Sequence, residues 1–224
     1  MKAEAVALTL ARQVGIEVPE HRLVRSLGRD VLLVARFDRP GGGARRMVVS
    51  ALTMLGLGSF LGARYSSYPD LLDALRKYSS SGEGLARSVF ERIVFNIVIG
   101  NTDDHARNHA AFWDGTHLDL TPAYDLCPQL RTGREANQAM DIGPAENRIQ
   151  SGDRRSRFAT CVDAAHHYGL TPAQAREIID QQVSLAREHW DDACDASQVT
   201  STERKSMFER QILNPYAFED YPAK

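Results

Sequence analysis

The fold of this chain is decided by residues 85–108, LARSVFERIVFNIVIGNTDDHARN, where an apolar segment runs directly into a polar one. Apolar side chains recur at spacings of three and four from Leu85 to Val98, which predicts a buried helix that ends at Gly100. The polar residues that follow then lie on a loop held by a rigid element, a placement typical of functional loops. We therefore expect the functional site at the C-terminal end of this helix.

Three polar residues in and after this loop have the chemistry of a phosphoryl-transfer centre. Asp103 and Asn108 lie five positions apart, and Asp125 follows in the segment PAYD at residues 122–125. The carboxylate of Asp103 could orient an attacking hydroxyl, while Asn108 and Asp125 could hold a metal ion on ATP. His105 could offer a donor or a cation near the transferred phosphate, or orient Asp103 when neutral.

Two other interpretations of the same residues stay open. Aspartate, asparagine and threonine also suit helix caps and turns, so the five-residue spacing by itself fits a structural role. His105 and His109 are four residues apart, and on a helix they would share one face with Asp103 and Asp104 nearby as ligands of a transition metal. That arrangement would fit a metal-dependent phosphohydrolase, although Asn108 would have no task in it.

The segment before residue 55 predicts a helix and a small antiparallel sheet. Helical spacing over residues 3–13 is followed by Gly15 as a stop signal. Branched and apolar runs at residues 22–26 and 31–37 predict a hairpin, and residues 46–50 predict a third strand that pairs with them.

Beyond residue 55 the pattern is mainly helical. A helix is expected from Pro69 to a break at residues 79–82, and a hairpin is expected on either side of the turn Asp114-Gly115. The remaining helices are predicted near residues 156–168, 172–193 and 200–213. The sequence thus predicts an α+β protein, with a partial N-terminal lobe over 1–55 and a helical C-terminal lobe over 56–224.

Composition restricts the class of protein. The net charge of −2 provides no global basic field, so we expect no direct nucleic-acid binding. Three widely separated cysteines without metal-ligand spacing predict free thiols in a reducing compartment. Charged residues interrupt the first twenty positions, and no apolar run has the length of a membrane span, so we expect a cytoplasmic protein without membrane contact.

The quoted residues resemble the HipA family of serine/threonine kinases, the toxins of bacterial toxin–antitoxin systems. Residues 95–109, FNIVIGNTDDHARNH, and 120–126, LTPAYDL, are similar to the catalytic and metal-binding motifs of that family. Residues 36–39, RFDR, resemble its strand motif at the adenine-side hinge, and residues 15–19, GIEVP, resemble a turn that the family also carries. The resemblance covers most of the chain.

This resemblance implies a protein-kinase-like fold and the transfer of a phosphoryl group from Mg-ATP to a hydroxyl of a protein substrate. It implies Asp103 as the catalytic base and Asn108 and Asp125 as magnesium ligands. It places four residues beside ATP, namely Phe37, His105, Arg107 and Tyr124. An antitoxin is the partner that the resemblance implies.

The chain departs from the family at its start. Family members carry a glycine-rich phosphate loop and a strand lysine upstream of the first helix, whereas Met1 here stands almost on that helix and only Lys2 precedes it. Loss of such phosphate-stabilising groups would cost roughly 10³-fold or more in rate. We therefore expect the isolated chain to have weak activity or none. Three explanations fit the departure: a separate protein supplies the N-lobe, the chain is a degraded pseudokinase, or its start is truncated. A binding module that needs a partner N-lobe is the alternative function.

Overall fold

The computed structural model describes residues 1–58, 66–79, 82, 84–131, 133–144 and 152–222. Its α-helices are α1 (Lys2–Gln13), α2 (Ala51–Met54), α3 (Tyr68–Arg76), α4 (Gly84–Ile99), α5 (Phe158–Ala164), α6 (Pro172–Glu188), α7 (Trp190–Ala196) and α8 (Ser201–Met207). Its strands are β1 (His21–Ser26), β2 (Arg29–Val34), β3 (Met47–Ser50), β4 (Ala110–Trp113) and β5 (Leu118–Leu120). Small antiparallel sheets and many helices confirm the α+β class.

Helix α4 lies at the centre of the core, as its apolar stripe predicts. It packs against α3, α5, α6 and the 3₁₀ helix Ala165–Tyr168, and most of its side chains are buried. The helix ends at Ile99, and Gly100 follows with a φ of +67°. The polar loop that begins at Asn101 is thus anchored to a largely buried helix.

The first hairpin forms as predicted, but its second strand is shorter than expected. β1 pairs with β2 in antiparallel register from His21↔Val34 to Ser26↔Arg29. β2 ends at Val34, so Phe37 lies in a turn and not on the strand. The side chain of Arg36 binds the carboxylate of Asp38 through Nε and Nη2 at 2.8 and 2.6 Å, and this local pairing favours the turn.

The partner predicted for the third strand is wrong. β3 pairs with β4 from Met47↔Trp113 to Ser50↔Ala110, and β5 completes this second sheet on the far side of β4. The strand is held there because it leads into α2, where the backbone N–H of Ala51 donates to His109 O at 2.8 Å. This contact ties β3 to the end of the polar loop instead of to the first hairpin.

The C-terminal helices are shorter than the sequence predicts. The predicted helix over 172–193 is interrupted at His189, whose φ of −95° and ψ of 9° end α6 and precede α7. The predicted helix over 200–213 ends at Met207, because Phe208 adopts an extended conformation. The predicted helix over 156–168 starts at Phe158 and tightens into the 3₁₀ helix Ala165–Tyr168.

Four further expectations have separate outcomes. Cys127, Cys161 and Cys194 are free thiols, as predicted. In the described part of the chain no helix is both long and apolar enough to cross a membrane. The predicted break at 79–82 falls partly on residues 80 and 81, outside the described residues. The division of the chain at residues 55 and 56 stays a prediction.

Candidate active site

Two loops meet at the C-terminal end of α4. The first, residues 101–109, follows the helix directly, and the second, residues 121–128, follows β5. The side-chain amide of Asn108 donates to the carboxylate of Asp125, so the two predicted magnesium ligands are in contact. The hairpin of β4 and β5 brings them together, because it starts at the end of one loop and ends at the start of the other.

Asn108 is buried and oriented by the backbone of its own loop. Its exposed fraction is 6%, and its Oδ1 accepts from the backbone N–H of His105 at 3.0 Å. This contact turns Nδ2 toward Asp125. The amide of Asn108 and the carboxylate of Asp125 therefore face each other where the two loops meet.

Asp125 adopts an uncommon backbone conformation. Its φ of +58° lies in the left-handed region, which non-glycine residues occupy mainly where the surroundings hold them. The backbone oxygen of Asp125 accepts from Cys127 N–H at 3.1 Å and from Asn101 Nδ2 at 3.4 Å. Burial first, and the negative charge of Asp125 second, raise the pKa of Glu4, a residue of α1. The site is thus acidic.

Asp103 and His105 lie on the same loop as Asn108. Asp103 is exposed, and its backbone N–H donates to Asn101 Oδ1 at 3.3 Å. His105 is half-buried, and its Nδ1 is a buried atom without a hydrogen-bond partner. A ring nitrogen without a hydrogen-bond partner has the capacity to bind a ligand atom.

An aromatic cluster flanks the loops. The ring centroid of Phe37 lies 5.7 Å from that of Tyr124 and 5.8 Å from that of Phe112. The hydroxyl of Tyr124 donates to Arg107 O at 2.7 Å. Burial, followed by the charges of two aspartates, raises the pKa of Tyr124 to about 12, so the phenol stays a donor at neutral pH. Arg107 is exposed, and its backbone oxygen joins it to Tyr124, which contacts Phe37; His105 lies on the same loop as Arg107.

Behind the loop lies the buried carboxylate of Asp104, which the sequence suggested only as a possible metal ligand of a phosphohydrolase. Asp104 is 3% exposed, and its Oδ2 accepts from three side chains on three parts of the chain. The donors are Tyr68 Oη at 2.7 Å, Asn96 Nδ2 at 2.7 Å and His109 Nε2 at 2.8 Å. Burial raises the pKa of Asp104, but the attraction of His109, the hydrogen bonds from His109 and Tyr68 and the charge of Arg92 outweigh it, so the pKa is lowered.

Asn96 connects this buried group to the exposed end of the site. Its Nδ2 donates to Asp104, and its Oδ1 accepts from Asn101 Nδ2 at 2.9 Å. Both asparagines are almost completely buried, at 1% and 2% exposed. Arg92, also on α4, donates to Thr121 O, and burial lowers its pKa to about 10. The only sequence signal for this network was a polar residue within the apolar stripe of α4.

The structure does not have the geometry that the alternative phosphohydrolase interpretation requires at His105 and His109. Residues 101–109 form turns without a helix, so His105 and His109 do not share a helical face. His109 is 3% exposed and binds Asp104 instead. Within the described ranges, no group of three or more histidine, cysteine, aspartate or glutamate side chains is arranged to hold a metal ion. Asn108 and Asp125 are two oxygen-bearing side chains, of the kind that hold magnesium together with substrate phosphates.

The chain is similar to bacterial proteins that are named as a toxin and as a putative kinase. It is 26% identical over 190 residues to toxin YjjJ of Escherichia coli K12, covering 83% of this chain and 41% of that protein. It is 27% identical over 130 residues to the putative kinase Y4mE of Sinorhizobium fredii, covering 55% of this chain and 31% of that protein. The chain thus spans less than half the length of these relatives.

Two solved structures share the fold. HipA of Shewanella oneidensis MR-1, solved with HipB and operator DNA, matches 96% of this chain and 55% of its own, with a TM-score of 0.73 and 19% identity. The Helicobacter pylori proinflammatory kinase CtkA matches 91% of this chain and 82% of its own, with a TM-score of 0.55 and 14% identity. A family model described as the HipA-like C-terminal domain matches residues 1–190. The chain therefore belongs to the HipA-like C-terminal domain family.

Proposed function

We propose that this protein is the kinase core of a HipA-like toxin, which transfers a phosphoryl group from Mg-ATP to a serine or threonine hydroxyl of a protein substrate. One observation carries the proposal. Asn108 and Asp125 are in side-chain contact at the end of the loop that also bears the exposed Asp103. A pair of side chains able to hold a metal ion, beside an exposed carboxylate on the same loop, is the arrangement that phosphoryl transfer from a metal–nucleotide complex requires.

Each candidate residue has its own role in the proposed reaction. Asp103 orients the attacking hydroxyl and accepts its proton, because Asp103 is an exposed residue that a substrate can approach. His105 offers its orphaned Nδ1 to a phosphate oxygen when that nitrogen carries a proton. Phe37 and Tyr124 contact the nucleotide base, with Arg107 beside them.

The pair Asn108 and Asp125 fits a magnesium ion. Each side chain has an oxygen, and the second lone pair of Asn108 Oδ1 remains beside its contact with His105 N–H. Magnesium typically takes one or two carboxylates plus phosphate oxygens and water, so two protein ligands suffice. When bound, the ion neutralises charge on the phosphates. Glu4 adds negative charge near Asp125, which favours a cation there.

The family supports the proposed partner, and the cysteines support the proposed compartment. The HipA relative was solved with HipB and operator DNA. We therefore propose an antitoxin partner for this chain, with any DNA contact made by that partner. We also propose a cytoplasmic location, where free thiols at Cys127, Cys161 and Cys194 persist.

Calorimetric titration with ADP tests the proposal in the presence and absence of magnesium. Asp125→Asn should weaken magnesium-dependent binding at least tenfold, because a neutral amide is a poorer ligand for the ion. Asp103→Asn should bind nucleotide within about threefold of the parent but slow transfer by 10²-fold or more. Asp163→Asn, an exposed residue of α5, is the matched control and should change neither. Unchanged nucleotide affinity in Asp125→Asn would contradict the proposal.

A second candidate is a binding module that acts together with a partner N-lobe. The observation in its favour is a set of exposed apolar side chains on β2 and β3. Their exposed fractions are 41% for Leu33, 44% for Val34, 62% for Met47 and 37% for Val48. If the chain gains ATP turnover when mixed with the product of a neighbouring gene, a split kinase is supported and a module without catalytic function is excluded.

A further inference from the structure

We propose that Asn101 is a positioning residue that fixes the metal-binding Asp125 relative to the catalytic Asp103; this inference rests on the proposed function. Asn101 is 2% exposed and touches the backbone of both loops. Its Nδ2 donates to Asp125 O at 3.4 Å, and its Oδ1 accepts from Asp103 N–H at 3.3 Å. One side-chain amide therefore connects the loop of the base with the loop of the metal ligand.

Asp125 needs such support because of its backbone. A φ of +58° places it in the left-handed region, where a residue with a side chain remains only if its neighbours hold it. The backbone oxygen of Asp125 has two donors, Asn101 Nδ2 and Cys127 N–H. Since Cys127 belongs to the same turn, Asn101 supplies the hydrogen bond to Asp125 O that comes from the opposite loop. In this conformation the carboxylate of Asp125 contacts Asn108.

The orientation of Asn101 is itself dictated from the core. Asp104 Oδ2 can only accept, so the Nδ2 side of Asn96 faces it, as the 2.7 Å distance shows. The Oδ1 of Asn96 must then accept, and Asn101 presents Nδ2 to it at 2.9 Å. That leaves Asn101 Oδ1 for the N–H of Asp103. A chain of oriented amides thus runs from the buried carboxylate to the exposed site.

Amide hydrogen exchange measured by NMR without nucleotide tests the connection directly. In Asn101→Ala, the backbone N–H groups of Asp103 and Cys127 should both exchange at least tenfold faster, because both loops lose their shared contact. In Asn101→Asp, which keeps an oxygen but loses both N–H donors, only Cys127 should exchange faster. Gln182→Ala is the matched control, since Gln182 is also a buried amide, at 3% exposed, and its Nε2 donates to Glu91 O at 3.0 Å on the side of α4 that faces α6. It should change neither rate.

Steady-state kinetics with Mg-ATP and dephosphorylated casein supply the second readout. Asn101→Ala should lower kcat at least tenfold while the KM for Mg-ATP stays within threefold, whereas Gln182→Ala should keep kcat within twofold per folded molecule. Exchange rates at Asp103 and Cys127 within twofold of the parent in Asn101→Ala would overturn the inference. Absence of magnesium-dependent nucleotide binding by the parent would instead overturn the proposed function, and the exchange rates would still decide whether Asn101 connects the loops.

Discussion

Gly100 allows the chain to turn from the buried helix α4 into the loop of the candidate site. Its φ is +67°, and a Cβ atom added to it would lie 2.3 Å from the backbone oxygen of Gln211. Backbone strain of about 1–2 kcal/mol and a clash of about 1–3 kcal/mol predict that Gly100→Ala loses roughly 3 kcal/mol of unfolding free energy. Urea unfolding measures this loss.

The matched control is Gly28→Ala, in the turn between β1 and β2. Gly28 also has a positive φ, +75°, but a Cβ there would meet no atom within 4 Å. Only the backbone cost applies, so we expect a loss of about 1 kcal/mol. Equal losses in the two variants would show that the approach of Gln211 to Gly100 has no energetic consequence.

At Asp104, a lowered pKa predicts a pH dependence of stability. The folded-state pKa lies below the unfolded value near 3.9, so the stabilising contribution is complete above about pH 4 and is lost as the pH falls through the folded-state value. Asp104→Asn, which breaks a buried pair, should lose about 3 kcal/mol at pH 6. This deficit relative to the parent should shrink between pH 4 and pH 3 in urea unfolding.

Asp163→Asn provides the comparison for this pH series, because Asp163 is an exposed carboxylate. Its stability should follow that of the parent in parallel at every pH. A deficit of Asp104→Asn that stays constant from pH 6 to pH 3 would mean that the ionised carboxylate does not stabilise the fold.

At the scale of elements, α6 carries its own start signal. Thr171 Oγ1 accepts from Gln174 N–H at 3.3 Å, while Gln174 Oε1 accepts from Thr171 N–H at 2.9 Å. This reciprocal cap predicts that Thr171→Ala lowers the unfolding free energy by about 1 kcal/mol. Thr171→Ser keeps the hydroxyl and should stay within a few tenths of a kcal/mol of the parent. A serine variant as unstable as the alanine variant in urea unfolding would argue against the cap.

Elements set by local signals were predictable, and those set by distant contacts were not. The stripe of α4 and the turn Asp114-Gly115 lie within single segments, so periodicity and turn chemistry were sufficient. The partner of β3 depends on β4, some sixty residues away, and no local pattern reports that pairing. The break at His189 was missed because apolar periodicity continues across it.

The same distinction applies to the candidate site. Asp103, Asn108 and Asp125 stand out by residue type, and their spacing suggested a common task before their positions were known. Asn101 and Asp104 belong to the same polar run, yet burial separates them from Asp103, which is exposed. Side-chain burial depends on how the loop packs on α3 and α4, and sequence spacing does not contain that information.

For the whole molecule, nucleotide binding should raise thermal stability through both loops at once. A ligand that binds only the native state at 100 times its Kd adds about 2.7 kcal/mol of unfolding free energy. In a chain of this size about 2–4 °C of Tm accompanies each kcal/mol, so Mg-ADP should raise the Tm by roughly 5–10 °C. Differential scanning calorimetry measures this shift.

If the rise in Tm depends on magnesium, it arises from nucleotide bound at the proposed metal site. Replacing magnesium by EDTA should remove most of the rise, because the contact between Asn108 and Asp125 is where the proposed ion joins the two loops. Asp125→Asn should show a small rise that is the same with and without magnesium. A full rise in EDTA would mean that the nucleotide stabilises the molecule through the aromatic cluster at Phe37 and Tyr124 alone, and that the pair Asn108 and Asp125 has another function.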